Sequence, residues 1–364
     1  MKKIKFLVAC LVSMFSLYVI IQNNKVYADK ANFSVNPIIT KSDTSKNTGY
    51  FDLLMQPGEV RDVSFEIYNS SNREIKIKTS LGTAFTGSTG TVGYKPDVVK
   101  PDNSLKYNLK DYVTTPNVVR ISPKSKKIIS AIVKMPNAIF DGVMAGGFNF
   151  TEANSAPTRQ SEKKGITIEN EYRYVIGLII QQSSNYVAPC LNLEGVYASQ
   201  KNRRNSININ LTNTAMTYLM DMSTQIKISK KDDPSISYSY NNSQMKMAPN
   251  SNFELAVPAY LKKYGGELST LLKPGKYKLI MTVYGEKDEK GKFKEIVNQQ
   301  PILYNHKWSF EKEFEISEYT AQKLNESDIS MEKNNLGWLL VLAALVIVML
   351  TLVIIILLTK QKTG

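Results

Sequence analysis

Most of the chain alternates apolar and polar residues with a period of two. Val63, Phe65 and Ile67 alternate with Asp62, Ser64, Glu66 and Tyr68, and Ile75, Ile77 and Thr79 with Lys76 and Lys78. Further on, Ile207, Ile209 and Leu211 alternate with Asn208, Asn210 and Thr212. Trp308, Phe310, Phe314 and Ile316 alternate with Ser309, Glu311, Glu313 and Glu315. Successive side chains of a strand point to opposite faces, so each pattern predicts a strand with one face buried. Turn signals separate the runs: Pro57-Gly58, Asn69 to Asn72, Asn213-Thr214 and Pro274-Gly275. Short strands between regular turns, without long amphipathic helices, predict an all-β chain of two tandem immunoglobulin-like β-sandwich domains.

The polar stretch 151–165, TEANSAPTRQSEKKG, precedes the strand-like Ile166–Ile180 and reads as the domain boundary. It gives a first domain over 29–160 and a second over 166–318. A long exposed hairpin is the alternative for this stretch. Both halves contain a strand ending in asparagine, Asn69 and Asn213, followed by a short turn and another strand. Residues 319–335 are polar and read as a stalk.

The two ends differ from the middle. Leu336–Leu358 is a run of 23 residues without a charge, about 34 Å long as a helix, enough to cross a ~30 Å hydrocarbon core. It predicts one C-terminal transmembrane helix, with Leu336, Trp338 and Leu358 in the span and Lys360 and Lys362 in a cytoplasmic tail, 359–364. Lys2, Lys3 and Lys5 precede the apolar Phe6–Ile21, and Val26-Tyr27-Ala28 fits a cleavage site, so 1–28 reads as a signal peptide. A retained N-terminal anchor is the alternative. The mature chain then holds a single cysteine, Cys190, where a eukaryotic ectodomain of this size usually carries several, so the implied product is a single-pass type I cell-membrane protein with its ectodomain in the wall space of a Gram-positive cell.

Charge and cysteine content narrow the partners. The chain has 46 Lys+Arg and 32 Asp+Glu; four of the cations fall in 1–28 and two in the tail, leaving +8 over 29–335. That excess suits anionic wall polymers or lipid headgroups, and equally a set of solvated strand faces. No basic run interleaved with aromatics suggests nucleic acid. Apart from Cys10 the only cysteine is Cys190, so no disulfide is available to the mature chain.

Candidate chemistry is sparse. His306, the only histidine, opens an alternating strand, and any histidine-dependent enzyme would rest on it alone. Asp232-Asp233 and the Glu286–Lys290 run lack the spacing of a calcium loop and read as charged hairpin tips. Ser161/Lys164, Ser243/Lys246, Ser309/Lys312 and Ser330/Lys333 match S-x-x-K without a usable partner motif. No catalytic residue, metal or cofactor is predicted. For binding, Tyr238 and Tyr240 share one strand face, and Tyr260 and Tyr264 flank a lysine pair. Tyrosines offer large contact area at low entropic cost, so these four are the candidate partner surface; an ordinary tyrosine-bearing strand is the plainer alternative.

The order of short motifs resembles a known family. Tyr50-Phe51-Asp52-Leu53, Pro57-Gly58, Ala84-Phe85-Thr86 with Gly90–Tyr94, Met135-Pro136, Phe140-Asp141-Gly142, Gly146-Gly147 and Ile168–Ile180 follow in sequence. Leu211-Thr212-Asn213, Lys273–Tyr277 and Trp308–Phe314 complete it. This is similar to the WxL-interacting proteins of Gram-positive bacteria. The resemblance implies a non-enzymatic surface scaffold or adhesin. Its first domain would contact peptidoglycan, and its second would bind secreted WxL-domain proteins and host extracellular proteins. A hydrolase acting on wall polysaccharide is the alternative class.

Overall fold

The computed structural model describes residues 31–40, 49–153, 171–263, 266–269 and 271–329, with isolated positions 345, 349 and 351. The first half runs β1 (Phe33–Ile38), β2 (Phe51–Leu54), β3 (Val60–Asn69), β4 (Ile75–Thr83), β5 (Phe85–Thr86), β6 (Val92–Gly93), β7 (Val113–Thr114), β8 (Val118–Ile121), β9 (Lys126–Lys134), β10 (Val143–Ala153) and β11 (Arg173–Gln181). The second half runs β12 (Leu191–Lys201), β13 (Arg204–Asn213), β14 (Leu219–Lys230), β15 (Ser237–Met247), β16 (Ser251–Pro258), β17 (Tyr260–Lys263), β18 (Gly266–Ser269), β19 (Gly275–Lys287), β20 (Phe293–Val297) and β21 (Gln300–Ile316), then helix α1 (Glu318–Ser327).

In the first half, a sheet ordered β1-β3-β9-β7 faces one ordered β2-β11-β10-β4-β8. The alternating residues fill the space between them: Val63, Phe65, Ile67, Ile75 and Ile77 are all buried. Phe65 is fully buried, edge-to-face with Phe148 at 4.7 Å, Phe150 at 5.1 Å and Phe51 at 5.4 Å, a geometry that suits the ring quadrupoles. The second half packs β12-β13-β16 against β15-β14-β19-β21-β20 over its own core. Gly58 and Gly275 take positive φ, as the Pro-Gly turns require.

Three expectations are corrected. The stretch around Ile168–Ile180 does not open the second sandwich. β11 pairs antiparallel with β10 along Val143–Thr151 and parallel with β2, so it completes the first sheet. The chain around 151–165 therefore connects two strands of one sheet, the hairpin alternative. Its polar composition suits a hairpin connection as much as a linker.

The stretch read as a stalk begins as a packed helix. Ala321 of α1 is buried against the second core and Leu324 packs beside it. The buried Asp328 carboxylate accepts from Asn205 N at 2.7 Å, tying the helix end to β13. The Ser317 hydroxyl caps α1 by accepting from Thr320 N. Ser317→Ala should cost about 1 kcal/mol. Faster hydrogen exchange in the first turn of α1 reports it, and unchanged exchange there contradicts it.

The third correction is the single-pass type I membrane placement. No helix among the described residues is long and apolar enough to cross a membrane. The run 336–358, including Leu336, Trp338 and Leu358, lies outside the described residues except at 345, 349 and 351, as do Lys360, Lys362 and 1–28.

Candidate functional site

The outer face of the β2-β11-β10-β4-β8 sheet carries the most developed surface of the first half. Cross-strand register places its residues in rows. Lys78, Thr151 and Arg173 form one row, Ser80, Asn149 and Val175 the next, and Gly82, Gly147 and Gly177 the third. The glycine row is a trough across three adjacent strands, and the segment Tyr94–Asp97 lies in it. A Cβ on Gly82 would sit 2.0 Å from Tyr94 O, and one on Gly147 would sit 3.0 Å from Tyr94 Cβ. A Cβ on Gly177 would meet Tyr50 Cβ at 3.3 Å. Asn149 Nδ2 donates to Tyr94 O at 2.8 Å and holds the segment down. As a result β10 is buried on both faces from Met144 to Thr151.

The Tyr94–Asp97 segment divides the face into two clefts. On one side a groove of about 660 Å³ is lined by Lys78, Lys95, Lys110 and Arg173 together with Thr151 and Asn117. Asp97 and Glu171 are its carboxylates; Asp97 pairs with Lys110 and Glu171 with Arg173. The four cations outnumber the two acids, so the groove is positive and rich in hydrogen-bonding groups.

On the other side a cleft of about 590 Å³ opens between the halves. Tyr50, Tyr94, Val175 and Ile179 line it from the first half, and Tyr218 and Lys246 from the second. The Tyr94 and Tyr218 hydroxyls are 3.2 Å apart. Burial, with Tyr94 beside it, pushes the Tyr218 phenol well above its ordinary value, so it stays neutral. Polar bonds fix the two walls. Ala248 N donates to Thr86 Oγ1 at 3.0 Å, Val143 N to Met216 O at 2.7 Å, and Lys246 N to Gly90 O at 2.8 Å. Ala84, Ala145 and Ala248 are buried together at the seam.

The sequence-predicted tyrosines fall elsewhere. Tyr238 and Tyr240 do share a face of β15, but it is the inward one. Tyr238 is 1% exposed within the second core and Tyr240 packs against that core, while Ser239 and Asn241 face solvent. A partner surface centred on Tyr238 is therefore corrected: its ring is already buried by its own domain. Tyr260 is half-buried at the start of β17, and Tyr264 lies outside the described residues. His306 sits within β21, with Nε2 2.6 Å from the Tyr186 hydroxyl and 3.2 Å from Glu286 Oε2. In the same half, a polar pocket of about 240 Å³ surrounds the buried Glu295, whose carboxylate accepts from Ser223, Gln225 and Tyr304, each at 2.9 Å.

The residues that build the two clefts were not foreseen as a site. A glycine in each of three strands becomes a signal only once the strand register is known.

Comparisons with known proteins bear on both halves. Residues 33–152 match the model described as WxL Interacting Protein, peptidoglycan binding domain. Residues 163–326 match the one described as WxL Interacting Protein, host binding domain. No curated protein matches the chain. Among solved structures, a chaperone–tip adhesin complex of CFA/I fimbriae overlays with a TM-score of 0.30 at 13% identity, covering 70% of this chain and 94% of that one. The CupB2 chaperone of Pseudomonas aeruginosa gives 0.24 at 12%, covering 69% and 92%. The E. coli chaperone DraB gives 0.25 at 11%, covering 78% and 98%.

Proposed function

Because this chain belongs to the WxL-interacting protein family, whose two domains tile it, we propose that it is a bivalent surface adaptor. In this reading the first half holds peptidoglycan through the cationic groove, and the second half engages a WxL-domain protein or a host protein. Both matched domains are binding domains, and the protein is not an enzyme. The observation that carries the reading is the pair of family matches. The groove adds chemistry suited to the first ligand, since peptidoglycan offers stem-peptide carboxylates to lysine and arginine, and sugar hydroxyls and amides to Thr151 and Asn117. Each half is read as an immunoglobulin-like sandwich, on the ground that two sheets enclose one core in each.

The test is co-sedimentation of the full chain with purified insoluble peptidoglycan. Lys78→Glu with Arg173→Glu should cut retention roughly tenfold, about 1.4 kcal/mol. Raising salt from 0.1 M to 1 M shortens the Debye length from ~10 Å to ~3 Å and should weaken wild-type retention in the same direction. Retention by the double variant equal to wild type would remove the groove as the site. No sedimentation of the wild type at low salt would remove the peptidoglycan reading. A truncation at residue 160 is a poor reagent, because it deletes β11 from the middle of the sheet.

A further inference from the structure

We infer that the aromatic cleft between the two halves seats an extended peptide segment with an aromatic and an aliphatic side chain two positions apart. That is the Trp-x-Leu spacing in the name of the family's protein partner. The inference rests on the partner reading above but moves the contact from the second half alone to the seam, where β11 of the first half supplies the edge and Tyr218 and Lys246 of the second half one wall.

Four observations support it. The first is an open sheet edge beside the cleft. β2 pairs only with Leu178–Gln181 of β11, so among the described residues no strand pairs with the outer edge of Arg173–Gly177. Such an edge is a template for an added strand. The second is spacing. In an added strand, alternate residues project to the same face, roughly 6.6 Å apart. Side chains at positions i and i+2 would thus both enter the cleft, and the one between them would point away.

The third observation is shape and lining. Tyr50 sits over Gly177, and Tyr50, Tyr94 and Tyr218 supply rings for edge-to-face contact with an indole. Val175 and Ile179 present an apolar surface for a leucine. Among the described residues the cleft lining contains no carboxylate, and its one charged residue is Lys246 at the exposed rim. The groove on the other side of Tyr94–Asp97 offers a saccharide the charged and amide groups of Asp97, Glu171 and Asn117, whereas this lining is mostly apolar and aromatic, with Thr91 and Gln244 as uncharged polar groups. This cleft instead suits apolar side chains with an acidic flank toward Lys246. The fourth observation is preorganisation. Both walls are held by the hydrogen bonds across the seam, so a ligand need not order them.

The test uses the full chain and calorimetric titration with a short synthetic peptide carrying one Trp-x-Leu and acidic flanks. Saturable binding is expected. Val175→Arg should weaken it roughly tenfold or more, as should Tyr218→Ala. Val175 is 41% exposed, so its substitution leaves the core filled. Ile280→Arg, on the exposed face of the second half, should leave affinity unchanged. A peptide with Trp and Leu adjacent puts them on opposite faces of a strand and should bind roughly tenfold worse. Equal binding of the adjacent-residue peptide, or affinity within about twofold of wild type for Val175→Arg, would overturn the proposal, as would a wild-type chain that binds no peptide. Displacement of the peptide by a soluble peptidoglycan fragment that needs Val175 and Tyr218 would reassign the cleft to sugar and also overturn it. A purified WxL-domain protein separates this failure from failure of the partner reading. If it binds wild type and Val175→Arg alike, the cleft is overturned and the partner reading stands; if it does not bind wild type, the cleft and the WxL arm of the partner reading both fall and only the host arm stands.

Discussion

Replacing Asn69 or Asn213 with alanine will destabilise the half that contains it by on the order of 3 kcal/mol. Asn69 is fully buried at the end of β3. Its Nδ2 donates to the carbonyls of Arg73 at 2.8 Å, Ser122 at 2.9 Å and Ile121 at 3.1 Å. Its Oδ1 accepts from Ser71 N at 2.9 Å and from the Ser71 hydroxyl at 2.7 Å. One side chain thus satisfies backbone groups of two separate turns. Asn213 does the same at the end of β13: Nδ2 donates to Thr217 O and Ala248 O, and Oδ1 accepts from Cys190 N and Ala215 N. Truncation removes the amide donor from each of these carbonyls, of which Arg73 O keeps the Ser71 hydroxyl and Ala248 O the Ser251 hydroxyl, and the penalty for an unmade buried bond exceeds the net gain of a made one. Asn69→Asp should be no milder, because a carboxylate would face three carbonyl oxygens. Chemical denaturation of each variant reads the loss, and a shift below about 1 kcal/mol would show that water replaces the amide.

That shared asparagine was visible in the sequence as two strands ending alike, and the structure gives it a cause. The strand faces were legible too. Phe65, Ile77 and Ile209 are buried where alternation put them, because burial of one face of a strand is a local constraint. The allegiance of β11 was left open, with a hairpin as the alternative to a linker. Its sequence, RYVIGLIIQ, is apolar enough for any inner strand, and its partners β10 and β2 are set by pairing across distant residues. Alternation also gave Tyr238 and Tyr240 a common face without saying which way it points. Ser237, Ser239 and Asn241 between them were the clue, since the more polar set takes the solvent side. The clefts were hidden for the same reason as β11. Gly82, Gly147 and Gly177 are far apart in the chain and become a trough only in register.

Two substitutions in that trough should behave in opposite ways. Glycine inside a strand ordinarily concedes about 0.5–1 kcal/mol to alanine through backbone entropy, so Gly→Ala stabilises where there is room. At Gly177 the nearest atoms to a new Cβ are Tyr50 Cβ at 3.3 Å and Cγ at 3.9 Å. A small movement of one side chain relieves that contact, and Gly177→Ala should be near neutral. At Gly82 the new Cβ would lie 2.0 Å from Tyr94 O and 2.9 Å from Pro96 N, both backbone atoms. The Tyr94–Asp97 segment must lift off the sheet, breaking the bond from Asn149 Nδ2 to Tyr94 O. Overpacking of this kind costs about 1–3 kcal/mol, and the lost part-buried hydrogen bond adds about 1 kcal/mol. Gly82→Ala should therefore lower stability by roughly 2–4 kcal/mol. Because the same segment is a wall of both clefts, peptidoglycan retention and Trp-x-Leu peptide binding should fall together in Gly82→Ala. Gly177→Ala should keep full peptidoglycan retention, and can alter only the aromatic side. Thermal unfolding and the two binding assays on both variants decide it. If Gly82→Ala folds as stably as wild type, the segment is not packed in the trough. If it is destabilised yet keeps one activity intact, the two clefts do not share that wall.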